Sequence, residues 1–156
     1  MNQGGVVTTD EEAVVRCYER LLTSWDDCDA QAFGALFASN GHVVGFDGSQ
    51  LDGRDAITRE MTRIFDDHMP ASYVSKVVDV RCLSSDVALL RAVAGMVPPG
   101  SSAIKQDKNA VQSLVATRTD GDWAIALYQN TPAQWHGRPD DVAALTQELQ
   151  SLVKPR

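Results

Sequence analysis

The chain has 156 residues, 44% hydrophobic and 22% charged, with a formal net charge of -7. That length suits one domain able to bury about 68–70% of its unfolded surface without a disulfide or metal staple. The acidic balance leaves no phosphate-neutralising surplus, and no apolar run approaches the about 20 residues of a membrane helix, so nucleic acid and membranes are excluded as expected partners.

Met1 to Thr9 lack the basic and apolar segments of a signal peptide, which makes the cytoplasm the expected location. Residues 1–8 read as a disordered tail. Thr9-Asp10-Glu11-Glu12 has the form of a capping box, with the Thr9 hydroxyl accepting from the Glu12 N–H. Val14, Cys17, Tyr18, Leu21, Leu22 and Trp25 then recur at three and four, the spacing of one apolar helix face. Asp29 is placed to cap a short second helix carrying Phe33, Leu36 and Phe37, which Asn40-Gly41 ends.

His42 to Asp47 reads as a short strand, and Asp47-Gly48-Ser49 as a turn. A third helix follows Gly53-Arg54, with Ile57, Met61, Ile64 and Phe65 on one face, and ends near His68 because Pro70 forbids continuation. Four long strands come next: Tyr73 to Leu83, Val87 to Val97, Asn109 to Thr119 and Trp123 to Thr131. Ser84-Ser85-Asp86 and Asp120-Gly121-Asp122 are short hairpin connections, and Pro98 to Ser102 opens a longer loop. Pro139, Asp140 and Asp141 suit the first turn of a last helix, whose narrow apolar stripe is Val142, Leu145, Leu149 and Leu152. Helices followed by an antiparallel meander argue an α+β domain over residues 9–135, with 136–156 a C-terminal helix in the same domain or at a dimer interface.

Strand alternation divides the closing strand. Trp123, Ile125, Leu127 and Gln129 take one face; Ala124, Ala126, Tyr128 and Asn130 take the other. The second face is small and polar-tipped, so it meets a close-packed helix or lines a cavity. Tyr128 and Asn130 lead as ligand contacts, because a phenol and an amide can orient an oxygen in an apolar site. Their alternative is a structural hydrogen bond between strand and helices.

Gly53-Arg54 before a helix, Ser85-Asp86-Val87-Ala88 at a strand start, and the closing Gly121-Asp122-Trp123…Tyr128-Gln129-Asn130-Thr131-Pro132 together resemble the SgcJ/EcaC-type family of the nuclear-transport-factor-2-like (SnoaL-like) superfamily. The resemblance covers about residues 10–135. It implies a cone-shaped, strongly curved antiparallel sheet packed on N-terminal helices, a pocket at the open end, and a homodimer through the sheet's outer face. Trp135-His136-Gly137-Arg138-Pro139 is similar to members from enediyne antibiotic gene clusters. The superfamily hosts cyclases, isomerases, dehydratases and non-enzymatic binders, so the fold alone does not assign a reaction.

Within such a cone, acid–base chemistry needs a carboxylate or imidazole tuned by an apolar wall. The catalytic candidates are His42, Asp79 and Arg91; Arg91 interrupts an apolar strand face and is either paired or aimed inward, and Asp79 can pair with Arg81 or, on the neighbouring strand, with Arg91. His68, at a helix end, and His136, after the closing strand, are weaker choices, as are Asp47, Asp66 and Asp67. Ligand contacts are expected at Tyr128, Asn130, Arg91, Phe46, Trp25, Tyr73 and Trp135.

No Gly-x-Gly-x-x-Gly loop, flavin motif or zinc-spaced cluster is present, and Cys17, Cys28 and Cys82 have no paired spacing; neither cofactor nor metal is expected. The ligand that the resemblance implies is a hydrophobic polyketide-derived intermediate. The alternatives are a non-catalytic binder or polyketide-synthase accessory, and a structural dimerisation module.

Overall fold

The computed structural model describes residues 8–154. Most of the expected tail, residues 1–7, lies outside them. The chain runs α1 (Thr9–Asp26), α2 (Ala30–Ala35), β1 (Phe37–Val44), β2 (Gln50–Asp52), α3 (Arg54–Asp67), β3 (Ser72–Cys82), β4 (Val87–Val97), a short turn of 3-10 helix (Gln106–Lys108), β5 (Ala110–Thr119), β6 (Asp122–Pro132) and α4 (Pro139–Gln150). The strands form one curved, unclosed sheet in the order β2-β1-β6-β5-β4-β3. All neighbours are antiparallel except β1 and β6.

The capping box of α1 sits one residue earlier than the sequence pattern suggested. Thr8 is the N-cap: its hydroxyl accepts from Glu11 N–H at 3.1 Å and Glu11 Oε1 accepts from Thr8 N–H at 3.0 Å. The competing pairs, Thr8/Glu11 and Thr9/Glu12, carry the same chemistry, so sequence alone could not separate them. Asp29 caps α2 as expected, accepting from Ala32 N–H at 3.0 Å. That helix stops at Ala35, however, and Phe37 to Gly41 belong to β1. Gly41 is no helix terminator. A Cβ there would lie 2.7 Å from the Ile125 carbonyl oxygen, so only glycine lets β1 come this close to β6. Phe46 and Asp47, expected in the strand, lie in the turn after it.

The face of α1 read from the sequence packs on the sheet's inner face. Val14, Tyr18 and Leu21 are buried against Ala88, Leu90 and Ala92 of β4, Leu114 and Ala116 of β5, and Ile125 of β6. The small alanines let the helix approach closely, and the apolar area removed from water here is the main stabilising contribution. Arg118 fastens the N-terminal end of α1, binding Asp10 at 2.8 Å and lying 4.9 Å over the Trp123 ring. At the other end Trp25 Nε1–H donates to the Ala71 carbonyl at 2.8 Å, and the Asp26 carboxylate accepts from Tyr73 N–H at 3.0 Å.

Helices α2 and α3 close the domain's side through a glycine contact. A Cβ on Gly34 would stand 1.9 Å from Thr58 Oγ1 and 3.1 Å from Thr58 Cβ. Gly34→Ala gains about 1 kcal/mol of helix propensity, yet overpacking outweighs it, for a net loss of about 1–2 kcal/mol in urea unfolding. Adding Thr58→Ala opens the space and restores the lost stability; unchanged instability in the double variant would refute this account.

The last helix lies on the outer face. Leu145 and Leu149 of α4, with Ala133, pack against Val74, Val93, Ile104, Val111 and Trp135. Lys76 of β3 binds Glu148 at 2.8 Å, and Gln150 holds the loop after β4 by accepting from Ile104 N–H and donating to the Ser102 carbonyl. Among the described residues, no helix is long and apolar enough to cross a membrane.

Candidate functional site

Two bulges decide which side chains reach the interior. On β6 the register shifts between Val115↔Leu127 and Ala116↔Ile125, leaving Ala126 as the extra residue. The strand changes phase there. Trp123 and Ile125 face inward before the bulge; Tyr128 and Asn130 face inward after it. Simple alternation had grouped Ala124 and Ala126 with Tyr128 and Asn130, and had set Ile125 outside. The structure keeps Tyr128 and Asn130 inside but reverses Ala124 and Ile125, because one added residue shifts a period of two by one. A second bulge at Val78 does the same on β3, where Tyr73 and Val77 and then Val80 pack inward while Val78 is exposed.

Phased in this way, the strands bring polar side chains together inside an otherwise apolar cone. Tyr18 Oη–H donates to Gln112 Oε1 at 2.5 Å, and Gln112 Nε2–H donates to Asn130 Oδ1 at 2.6 Å. Gln112 is fully buried, Tyr18 is 1% exposed and Asn130 is 9% exposed. The Tyr73 phenol lies against Tyr128 and Asn130, and Ser75 lies beside the Tyr18 phenol. Tyr128 is 3% exposed, and its Oη meets the Tyr73 phenol and the Asn130 amide without a well-formed hydrogen bond. Burial raises the pKa of all three phenols, so each stays protonated and remains a donor across the physiological range.

A groove of about 500 Å³ runs along the free edge of β3. Its walls are Ser72 to Ser75, Val97, Ser101, Ser102, Asp26 at the end of α1, and Leu152 to Lys154 beyond α4. Tyr73 and Ser75 belong both to this groove and to the interior group. Asp26 is the carboxylate of the groove, and burial, its largest influence, raises its pKa above the ordinary 3.8 against the lowering effect of the Tyr73 N–H.

The other residues singled out from sequence lie elsewhere. Arg91 points outward from β4, half exposed, and meets Asp79 of β3 at 3.6 Å. The pair is the cross-strand alternative considered for it; Arg91 does not neighbour Tyr128, because Leu90 and Ala92 occupy the inward positions on either side. His42 is exposed and binds Asp52 at 2.8 Å at the β1–β2 edge. His68 caps α3 and binds Asp67 at 3.2 Å, and His136 is exposed. Asp47 accepts from Ser49 N–H within a turn, and Asp66 is exposed. Phe46 lies under the Lys108 ammonium, and Trp135 is on the outer face beneath α4. Trp25 packs on Phe65 and Tyr73, with its ring 5.6 Å from the tyrosine, so it braces the groove wall.

Sequence reasoning missed Tyr18, Ser75, Gln112 and Asp26. Tyr18 passed for a core residue of the helix face. Gln112 carried a usable signal, a polar residue in phase with Ala110, Leu114 and Ala116. Asp26 carried none, since three acids lie within four residues there.

Residues 14–133 match the SnoaL-like domain. The chain belongs to that family. Among solved structures it is similar to a domain of unknown function with a cystatin-like fold from Nostoc punctiforme, 26% identical over 92% of both chains with a TM-score of 0.76. An NTF2-like protein from Novosphingobium aromaticivorans shares 19% identity over 85% of this chain and 88% of its own, TM-score 0.66. A ketosteroid isomerase-like protein from Erwinia carotovora atroseptica shares 15% identity over 81% of this chain and 98% of its own, TM-score 0.63. Among curated proteins none matches significantly. The SnoaL-like domain thus has the nuclear-transport-factor-2-like fold expected of it, and the match ends before α4 begins.

Proposed function

We propose that this SnoaL-like protein holds a hydrophobic polyketide-derived intermediate, in enediyne antibiotic biosynthesis, and transforms it by cofactor-free isomerisation, cyclisation or hydration. The pathway rests on the resemblance of the closing strand and of Trp135 to Pro139 to enediyne-cluster members of the SgcJ/EcaC type. The pocket rests on one observation: the buried Tyr128 hydroxyl lies beside the Tyr73 phenol and the Asn130 amide without a well-formed hydrogen bond to either. A buried donor held in poor geometry costs stability, and a ligand oxygen that accepts from it recovers that cost.

The hydrogen-bonding inventory gives the ligand its polarity. Gln112 Oε1 is engaged by Tyr18 and Asn130 Oδ1 by Gln112, so what faces Tyr73 and Tyr128 is donor capacity. The matching group is a carbonyl or enolate oxygen on an apolar skeleton. The base this reading assigns is Asp26, whose carboxylate accepts from Tyr73 N–H: the proton next to such a carbonyl passes to the carboxylate, the electron pair moves into the enolate, and the proton returns to carbon. A cytoplasmic homodimer completes the reading, supported by the row of half-exposed Leu89, Val115 and Leu127 across the outer face.

Deuterium uptake into β-tetralone tests the chemistry. The chain should accelerate uptake over buffer. The rate should climb with pH through the raised Asp26 pKa, where the basic form accumulates, and then level off. Asp26→Asn should lose at least about tenfold in rate. Binding without any uptake would instead support the non-catalytic binder, the reading favoured by the placement of His42, His68 and His136 at the surface, away from the interior.

A further inference from the structure

Four elements meet in one buried chain of polar side chains. Tyr18 comes from α1, Gln112 from β5 and Asn130 from β6, and Tyr73 of β3 lies against Asn130 and Tyr128. Gln112 stands in the middle, fully buried, with Ala92 of β4 and Asn130 of β6 opposite it on the neighbouring strands. An amide has two unlike ends, so it gives such a chain a direction. Here the oxygen end accepts from Tyr18 at 2.5 Å, and the nitrogen end donates to Asn130 Oδ1 at 2.6 Å. That engages the Asn130 oxygen and leaves its Nδ2 end to the phenols of Tyr73 and Tyr128.

The direction decides what those phenols offer. An N–H that meets a phenol oxygen leaves the phenol hydrogen free, whereas a C=O in the same place takes it. Were the Gln112 amide turned over, its nitrogen would meet Tyr18 and its oxygen would meet Asn130. Asn130 would turn with it, and its oxygen would then consume the donors of Tyr73 and Tyr128. The turned chain keeps both amide bonds, so their number does not choose between the two directions. Tyr18 chooses: a phenol donates more readily than it accepts, because its lone pair is shared with the ring.

We infer that Gln112, held by Tyr18, is a positioning residue that sets ligand specificity: without touching the ligand, it keeps the Tyr73 and Tyr128 phenols as donors and so selects a carbonyl oxygen over a hydroxyl. The inference rests on the pocket reading above and deepens it. It moves the choice between a ketone and an alcohol from the phenols that meet the ligand to an amide behind them. The titratable groups of the cluster are the three phenols, all raised by burial, and the carboxylate that acts on it is Asp26, through Tyr73.

Calorimetric titration of the full chain with β-tetralone and its alcohol, β-tetralol, reads the preference. The parent should bind the ketone about tenfold tighter than the alcohol, by a ratio that does not change with pH. Gln112→Glu makes the direction titratable. Its protonated acid accepts from Tyr18 and donates to Asn130 as the amide does, so the preference persists at low pH. Its ionised form accepts at both ends, Asn130 turns over, and the preference should fall to about twofold or less. Burial raises this carboxyl above the ordinary value of about 4.3, so the loss comes at higher pH and reverses on acidification. A side chain that served packing alone would not restore a preference with one proton. Circular dichroism at each pH reports the fold. Tyr18→Phe, which carries no charge into the core, removes the donor that fixes the direction and should lower the preference at least about threefold at every pH. A preference that persists in ionised, folded Gln112→Glu overturns the inference and leaves the pocket reading standing. Loss there with Tyr18→Phe unchanged upholds Gln112 and overturns the role of Tyr18. If the ionised variant unfolds, Tyr18→Phe decides: a lowered preference supports the inference and an unchanged one overturns it. A parent chain that binds neither compound, or both alike, overturns the pocket reading and the inference together.

Discussion

Gln112→Leu destabilises the fold by about 2–4 kcal/mol, the largest loss expected from a near-isosteric change in this domain. The substitution leaves little cavity, so the cost is polar. Gln112 is fully buried and links α1 to β6 through both ends of its amide, accepting from Tyr18 and donating to Asn130. Removing it orphans two buried groups at once, a phenol donor and an amide oxygen, each costing about 1–3 kcal/mol when left dry. Urea unfolding should show the midpoint falling with an unchanged slope. The test of cause is the second variant: Tyr18→Phe in the Gln112→Leu background removes one orphan and should recover about 1 kcal/mol. A loss below about 0.5 kcal/mol in the single variant would mean that water reaches the cluster and the interior is not dry.

That cluster also shows where sequence reading reaches and where it stops. The apolar faces of α1 and α3 and the four long strands were legible, because burial imposes periods of 3.6 and two and nothing in those stretches competes with them. The end of α2 was not. Asn40-Gly41 looks like a helix stop, and its glycine is required for a different reason, the approach to Ile125 across the parallel β1–β6 pair. A long-range contact of that kind leaves no local signature.

The site divides in the same way. The inward placement of Tyr128 and Asn130 was legible because they end a strand in polar tips. Arg91 was placed wrongly, since an arginine among valines reads equally well as a pocket residue or as half of an outward ion pair, and only the position of Asp79 on the neighbouring strand decides. Bulges are the deeper obstacle. Ala126 and Val78 carry no residue signal that marks them as extra, yet each reverses every side chain beyond it. The resemblance to the nuclear-transport-factor-2-like superfamily supplied the cone; it could not supply the phase of its strands.

The opposite sign is expected at Tyr128. Its hydroxyl is buried without a well-formed hydrogen bond, so Tyr128→Phe should stabilise the domain by about 1 kcal/mol, read as a higher urea midpoint. The same change should weaken a carbonyl ligand such as prodan by about tenfold, because the ligand then loses the donor that water cannot replace. A core residue that served packing alone would move both quantities together, or neither. A stabilising substitution that costs affinity marks a group kept for the bound state, at the expense of the free one. If Tyr128→Phe instead lowers stability, the hydroxyl is already satisfied in solution, by Tyr73 or by a water, and the interior has lost the unspent donor on which the binding proposal rests. Asn130 gives the internal comparison. Its oxygen is engaged by Gln112, so Asn130→Leu should destabilise the fold and weaken the ligand together. Two neighbours on one strand, one raising stability and one lowering it, separate the part of the cluster that builds the cone from the part that waits for a ligand.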